Sequence, residues 1–204
     1  MKLYKFRSLD NLEFVLDILL NEKLYCSSYE SLNDPLEGLF YTIINPLGTN
    51  KKLRKYKSID ALPTYDSDLR ICSLSKSFKD IRMWSHYSNS HTGVAIEIDF
   101  TNHQSDITKV NYDIGLQKHG TTILAGATPK QILSYKTEHW GYEEEYRILH
   151  TADYYPIEGR INAVYFGVRS SDFHKELLRK TAPQSINLIE TRLDRKNIVV
   201  RPVS

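Results

Sequence analysis

Cysteine is scarce in this sequence: of 204 residues only Cys26 and Cys72 carry a thiol, and each stands inside an alternating apolar run, not in a metal-spaced cluster. A structural disulfide is therefore not expected, and the scarcity argues against a secreted, disulfide-stapled protein. His91 and His139 lack the spacing of metal ligands, so no structural zinc is expected either. Long hydrophobic runs are missing too. None approaches the roughly 20 apolar residues needed to cross a bilayer, and the N-terminus has no apolar signal stretch. These absences place the chain in the cytosol, without a membrane partner. Gly93 and Gly167 stand alone, outside any phosphate-binding glycine fingerprint, which excludes a Rossmann or P-loop nucleotide site. Charge of one sign is also lacking: the net charge is only +2. That is too small to argue for a nucleic-acid partner. The one local excess, Lys51, Lys52, Arg54, Lys55 and Lys57, reads as a solvated loop.

What the chain does have is tyrosine, fourteen in all against two Trp and two Met. Much of the packing surface then carries a hydroxyl that must reach water or a partner at the rim of the core. A hydrophobic fraction of 41% and a charged fraction of 25% are those of an ordinary globular protein, and the length suits one α+β domain over residues 1–204.

Period-two alternation predicts strands at 3–7, 23–27, 70–75, 94–100, 108–112, 146–150, 163–168 and 198–201. The 94–100 and 108–112 strands can form a hairpin. Helical spacing predicts helices over 12–20, 81–87, 128–136 and 171–181. Asn33-Asp34-Pro35 reads as a turn feeding a helix, with Glu37 either closing a cap on Asn33 or reaching toward a site. A polar, basic excursion over about 45–67 is expected to pack least well and to hold at most a short helix. Because strands and helices do not alternate regularly, a mixed, largely antiparallel sheet with flanking helices is expected.

Four clusters carry the unusual polar residues: Tyr4-Lys5-Phe6-Arg7, Asn33-Asp34-Pro35-Leu36-Glu37, Met83-Trp84-Ser85-His86-Tyr87, and the run from Lys136 through Trp140 to Glu143-Glu144-Glu145-Tyr146-Arg147. Together they resemble the bacterial family filed as domain of unknown function 2971, over roughly Leu3 to Gly167, with Phe6 where that pattern has Tyr. The family label carries no activity. On physical grounds, Glu143, Glu145 and Arg147 two apart in an extended segment form a carboxylate, carboxylate, guanidinium row on one face, or an ordinary solvated sheet face. His86 can serve as a general base, a phosphate contact or a structural histidine tied to a carbonyl. Trp84 and Trp140 read as core anchors. The polar set Asn33, Trp84, His86, Tyr87, Glu143, Glu145 and Arg147 is expected to gather at one concave site.

The order of elements is also similar to that of ADP-ribosyltransferases, which implies an NAD site. In that reading Lys5 or Arg7 holds the pyrophosphate, Ser73 or Ser75 positions the ribose, Tyr87 and Arg147 line the cofactor site, and Glu145 stabilises the oxocarbenium-like centre. Glu143 then orients an acceptor, protein or nucleic acid, and a place in bacterial conflict or phage defence is implied. Two alternatives stay open: a non-catalytic binding module with an aromatic and acidic pocket, and a metal-dependent nuclease using Asp34, Glu37, Glu143 and Glu145.

Overall fold

A computed structural model describes residues 1–44, 53–62, 64–113, 118–119 and 128–203. Its first strand, β1 (Lys2–Arg7), shows how alternation becomes position. Leu3, Lys5 and Arg7 point to one side of the sheet, Tyr4 and Phe6 to the other. In chain order there follow α1 (Leu12–Asn21), β2 (Lys23–Tyr25), β3 (Leu39–Ile44), β4 (Leu53–Ser58), β5 (Arg70–Ser75), α2 (Ile81–Tyr87) and β6 (Val94–Asp99). Next come β7 (Ile107–Lys109), β8 (Asn111–Asp113), β9 (Lys118–His119), α3 (Pro129–Ile132), β10 (Tyr135–Thr137), β11 (Glu145–His150) and β12 (Tyr154–Pro156). The chain closes with β13 (Ile161–Phe166), α4 (Asp172–Thr181), β14 (Asn187–Ile189), β15 (Thr191–Asp194) and β16 (Val199–Pro202).

Seven strands form the main sheet in the order β14-β13-β6-β1-β5-β11-β7. All its pairings are antiparallel except β13 with β14. This is the expected mixed α+β architecture. One face, carrying Leu3, Val94, Ile96, Ile98, Cys72, Leu74 and Ile148, packs under Val15, Ile18 and Leu19 of α1 and Leu178 of α4. Each fully buried Leu or Ile there contributes roughly 1.5–3 kcal/mol. The opposite face packs Phe6, Ala95 and Tyr165 against Phe78 and against Met83 and Trp84 of α2. Helix α2 starts where Asp80 accepts a hydrogen bond from the Arg82 amide, a side-chain N-cap. No helix among the described residues is long and apolar enough to cross a membrane.

Four local expectations are corrected. The strands at 94–100 and 108–112 do not form a hairpin: β6 pairs with β1 and β13, whereas β7 pairs with β11. Central burial suits β6, whose Val94, Ala95, Ile96 and Ile98 are buried, and short polar β7 takes the edge. The turn at Asp34 does not lead into a helix. Asp34 Oδ1 instead accepts the Leu36 amide at 2.9 Å, and β3 begins at Leu39. The helix expected over 128–136 stops at Ile132, after a Thr128–Gln131 capping box, and Lys136 lies in β10. Burial of its ammonium among carboxylates outweighs local propensity. Finally, the excursion over 45–67 is structured where it is described: β4 pairs with β3 along its whole length, and Ile59 and Leu62 join Tyr29, Phe40 and Leu69 in a third apolar cluster. Residues 45–52 of that stretch, including Lys51 and Lys52, and residue 63 lie outside the described residues.

Candidate functional site

The site begins as a gap in the sheet. Strands β1 and β5 are neighbours, yet they share the single pair Tyr4↔Ser75, while β5 continues in register with β11 from Glu145↔Ser75 to His150↔Arg70. Beyond Tyr4 the two strands separate. Lys5 Nζ bonds the Ser73 carbonyl at 3.0 Å, where a β1 amide would otherwise donate, and Ile71 exchanges both its backbone bonds with Ser27. A cavity of about 430 Å³ opens at this gap. It draws side chains from both faces of β1, Tyr4 and Phe6 from one and Lys5 and Arg7 from the other. Ser27, Asn33, Ser73, Ser75, Tyr87, Lys136, Glu143 and Glu145 complete most of the polar wall, with Tyr25, Leu32 and Met83 among the apolar contributors.

The acidic wall is a buried ion network. Arg147, wholly inaccessible, forks onto Glu37 through Nη1 at 2.6 Å and Nη2 at 2.7 Å, and onto Glu145 through Nε at 2.8 Å and Nη2 at 3.1 Å. A fifth contact, Nη1 to the Leu133 carbonyl at 2.6 Å, fills its donor set. Lys136 Nζ bridges Glu143 at 2.7 Å and Glu145 at 2.9 Å, and its charge also lies 5.1 Å from the Trp140 ring centre. Burial alone would raise the Glu145 carboxyl, but Arg147 and Lys136 overcome it and hold the group down at about 2. Glu143 shifts the other way, upward, because its burial outweighs the Lys136 charge. Tyr87 donates to Glu143 Oε1 and accepts from Asn33 Nδ2 at 2.7 Å, so a relay runs from the exposed Asn33 to the buried acid pair.

The basic wall differs in kind. Lys5 is lowered by burial and by its neighbour Arg7, and Arg7 is lowered by burial. Arg7 Nε is one of two buried side-chain nitrogens without a hydrogen-bond partner among the described residues, the other being His91 Nδ1. A buried guanidinium donor with no partner costs about 1–3 kcal/mol. Beneath these cations lie Cys26 and Cys72, both free.

The expected convergence is achieved in part. Of the expected set, Asn33, Tyr87, Glu143 and Glu145 line the cavity, and Lys5, Arg7, Ser73 and Ser75 line it with them. The Ser73 hydroxyl lies near enough to Glu145 to favour its ionised form, and Ser75 Oγ donates to the Glu143 carbonyl at 2.7 Å. Arg147 does not line it: the guanidinium is closed behind Glu145 and has no donor left for a cofactor. His86 is exposed and outside the lining, with its ring near those of Tyr87 and Tyr142. Trp84 is a core anchor, fully buried, donating to the Phe78 carbonyl at 2.5 Å and meeting Phe6 edge to face. The three-residue row is interrupted, because Glu143 ends a 3-10 segment and Glu144 turns left-handed before β11 starts at Glu145. Glu37 does not cap Asn33 but serves Arg147.

Sequence reasoning assigned no role to Lys136, although it stands at the head of the fourth cluster; a lysine at the end of an expected helix gives no local sign of burial. The donor set proposed for a metal is occupied otherwise. Glu37 and Glu145 are held by Arg147, Glu143 by Lys136 and Tyr87, and Asp34 by its own turn.

A family model described as protein of unknown function (DUF2971) matches residues 83–119. This supports the resemblance on the Met83–Tyr87 cluster and the Gly93–Val94 strand start, and the match contributes only Met83 and Tyr87 to the cavity wall. No curated protein and no solved structure matches the chain.

Proposed function

We propose that the cavity binds a pyrophosphate-bearing nucleotide, NAD in the first instance, and that the protein transfers its ADP-ribosyl group. The observation that carries this reading is the meeting of Arg7, Ser73 and Glu145, far apart in sequence, around one cavity. Arg7 and Lys5 supply the cationic end suited to a pyrophosphate, and the unpartnered Arg7 Nε is a donor awaiting an acceptor. Tyr4, Phe6, Tyr25 and Tyr87 offer ring faces for a base. Glu145 stays ionised far below neutrality, which is the state required to stabilise positive charge as the bond between ribose and nicotinamide breaks. Glu143, more easily protonated, is suited to hold or accept the proton of an incoming nucleophile.

The closure of Glu145 by Arg147 and Lys136 favours a second reading, a binding module in which the acid network shapes the pocket without reacting. Labelled NAD incubated with the full chain, with and without cell extract, separates the two. Release of nicotinamide together with labelled macromolecules is expected for the transferase. Binding by calorimetry without turnover leaves the module, and absence of both turnover and binding overturns the nucleotide reading. Arg7→Ala should raise the Michaelis constant at least tenfold with a smaller effect on kcat, since a pyrophosphate clamp acts already in the ground state. Glu145→Gln should abolish turnover, and its folded fraction must be measured alongside because Glu145 also closes the buried network.

A further inference from the structure

The two cysteines that look unrelated in sequence are partners across strands. Ser27 and Ile71 exchange both backbone hydrogen bonds, at 2.9 and 2.7 Å, as a narrow antiparallel pair. The next pair along, Cys26 and Cys72, therefore occupies the non-hydrogen-bonded position, where side chains point to the same face and Cα atoms lie about 4.5 Å apart. That separation falls within the roughly 4.4–6.8 Å of disulfides. The remaining backbone bonds agree with this placement: the Cys26 amide turns away to the Asp153 carbonyl, and Cys72 pairs on its other side with Ile148. Both sulfurs belong to the core cluster under α1, and both are in reduced form.

We propose that Cys26 and Cys72 are a redox-active pair that closes to a disulfide beneath the cavity when a peroxide reaches it through the gap between β1 and β5. Three residues next to the two cysteines, Lys5, Ser27 and Ile71, line the cavity, so the buried sulfurs lie directly behind its wall. Cys72 is the attacking thiol. The adjoining Cys26 thiol and the charges of Lys5 and Arg7 hold it down at about 6 despite burial, while Cys26, whose thiol donates to the Leu24 carbonyl at 3.8 Å, is pushed up by its Cys72 neighbour and by burial and keeps its proton. Cys72 gives up its proton to become the thiolate, which attacks one peroxide oxygen; the O–O bond breaks, and the departing hydroxide takes up that proton and leaves as water, giving a sulfenic acid. The Cys26 sulfur then attacks that sulfur and the S–O bond breaks. The released hydroxide and the Cys26 proton leave as a second water, so one peroxide is reduced and two thiols become one disulfide. Closure removes the negative charge that faces Lys5 and Arg7 and leaves the basic wall more cationic.

The test treats the full chain with hydrogen peroxide, blocks remaining thiols and maps the peptides by mass. The expected result is a chain lighter by two hydrogens, a peptide joining Cys26 to Cys72, and recovery with dithiothreitol. The joined peptide should be absent from Cys26→Ser and Cys72→Ser. Since serine in this apolar cluster can impair folding, the same map is made on the wild-type chain in guanidinium, where loss of the strand register should slow bridging several-fold. Oxidation that stops at Cys72 sulfinic or sulfonic acid, unmodified thiols, or equal bridging in the unfolded chain overturns the pair. A second readout rests on the anion-binding reading of the cavity: the Kd for inorganic pyrophosphate should fall several-fold on oxidation. An unchanged or higher Kd with the disulfide formed overturns the coupling to the cavity, whereas absence of pyrophosphate binding in either state counts against the nucleotide reading itself.

Discussion

Arg147 is a cation with five donors, buried completely, and its partners decide the cost of keeping it there. Glu37 comes from the far side of the fold and takes both terminal nitrogens. Glu37→Gln removes one of the two charges facing Arg147 while keeping shape, and should destabilise the protein by about 3 kcal/mol, the loss that follows when a buried pair loses a partner. Chemical denaturation of the variant checks it, and a change under 1 kcal/mol would show that Glu145 alone suffices. Arg7 is the reverse case. Its Nε has no partner among the described residues, so Arg7→Met, which keeps most of the volume, should stabilise the protein without ligand by about 1 kcal/mol while weakening nucleotide binding. A lower melting temperature in Arg7→Met would mean that the guanidinium serves the fold and not a ligand.

At the scale of elements, the gap depends on where β1 is pinned. On its β6 side β1 is paired from Lys2↔Asp99 to Arg7↔Val94, and on its β5 side at one position only. Gly93, just before β6, lies so close to β1 that a Cβ there would meet the Arg7 carbonyl oxygen at 2.1 Å. Backbone cannot yield as a flexible side chain would. Gly93→Ala should therefore cost about 1–3 kcal/mol, as overpacking does, and displace Arg7 along with its strand. The displacement is read as a loss of nucleotide or pyrophosphate affinity larger than the stability change accounts for; unchanged affinity in a folded variant would separate the Gly93 contact from the cavity. A Cβ on Gly167 would likewise meet the His91 carbonyl oxygen, at 2.2 Å, and the Gly167 amide ties the end of β13 to the Gly93 carbonyl at 2.8 Å.

At the scale of the whole molecule, the acid network sets the response to pH. The Glu145 carboxyl is held at about 2 in the folded protein, against an ordinary 4.5. The unfolded chain therefore takes up this proton first as pH falls. The stability that Glu145 contributes is complete above pH 4.5 and drains away between about 4.5 and 2. Glu143 is raised and acts in the opposite sense, costing stability as pH rises from its ordinary value toward its raised one. A melting temperature that falls steeply below pH 4.5, with the slope reduced in Glu145→Gln, is expected, and an equal slope in the variant would remove Glu145 from the account.

Alternation and helical spacing in the sequence determined the α+β class, β1, β5, β6, β11 and β13, and helices α1, α2 and α4, because each is decided by a local hydrophobic period. The clusters of unusual polar residues marked Lys5, Arg7, Tyr87, Glu143 and Glu145, and the resemblance to ADP-ribosyltransferases added Ser73. Neither could say which strands are neighbours. That β1 lies beside β5 but separates from it, that Glu37 reaches Arg147 across 110 positions, and that Cys26 stands opposite Cys72 are decided only by tertiary packing. The physical reason is that a buried charge or thiol takes its character from groups brought in by other elements, and local periodicity carries no information about them. The same limit explains the misread stretches at Lys136 and Glu37. Their own neighbours favour a helix and a cap, but a buried counter-charge from a distant element outweighs both.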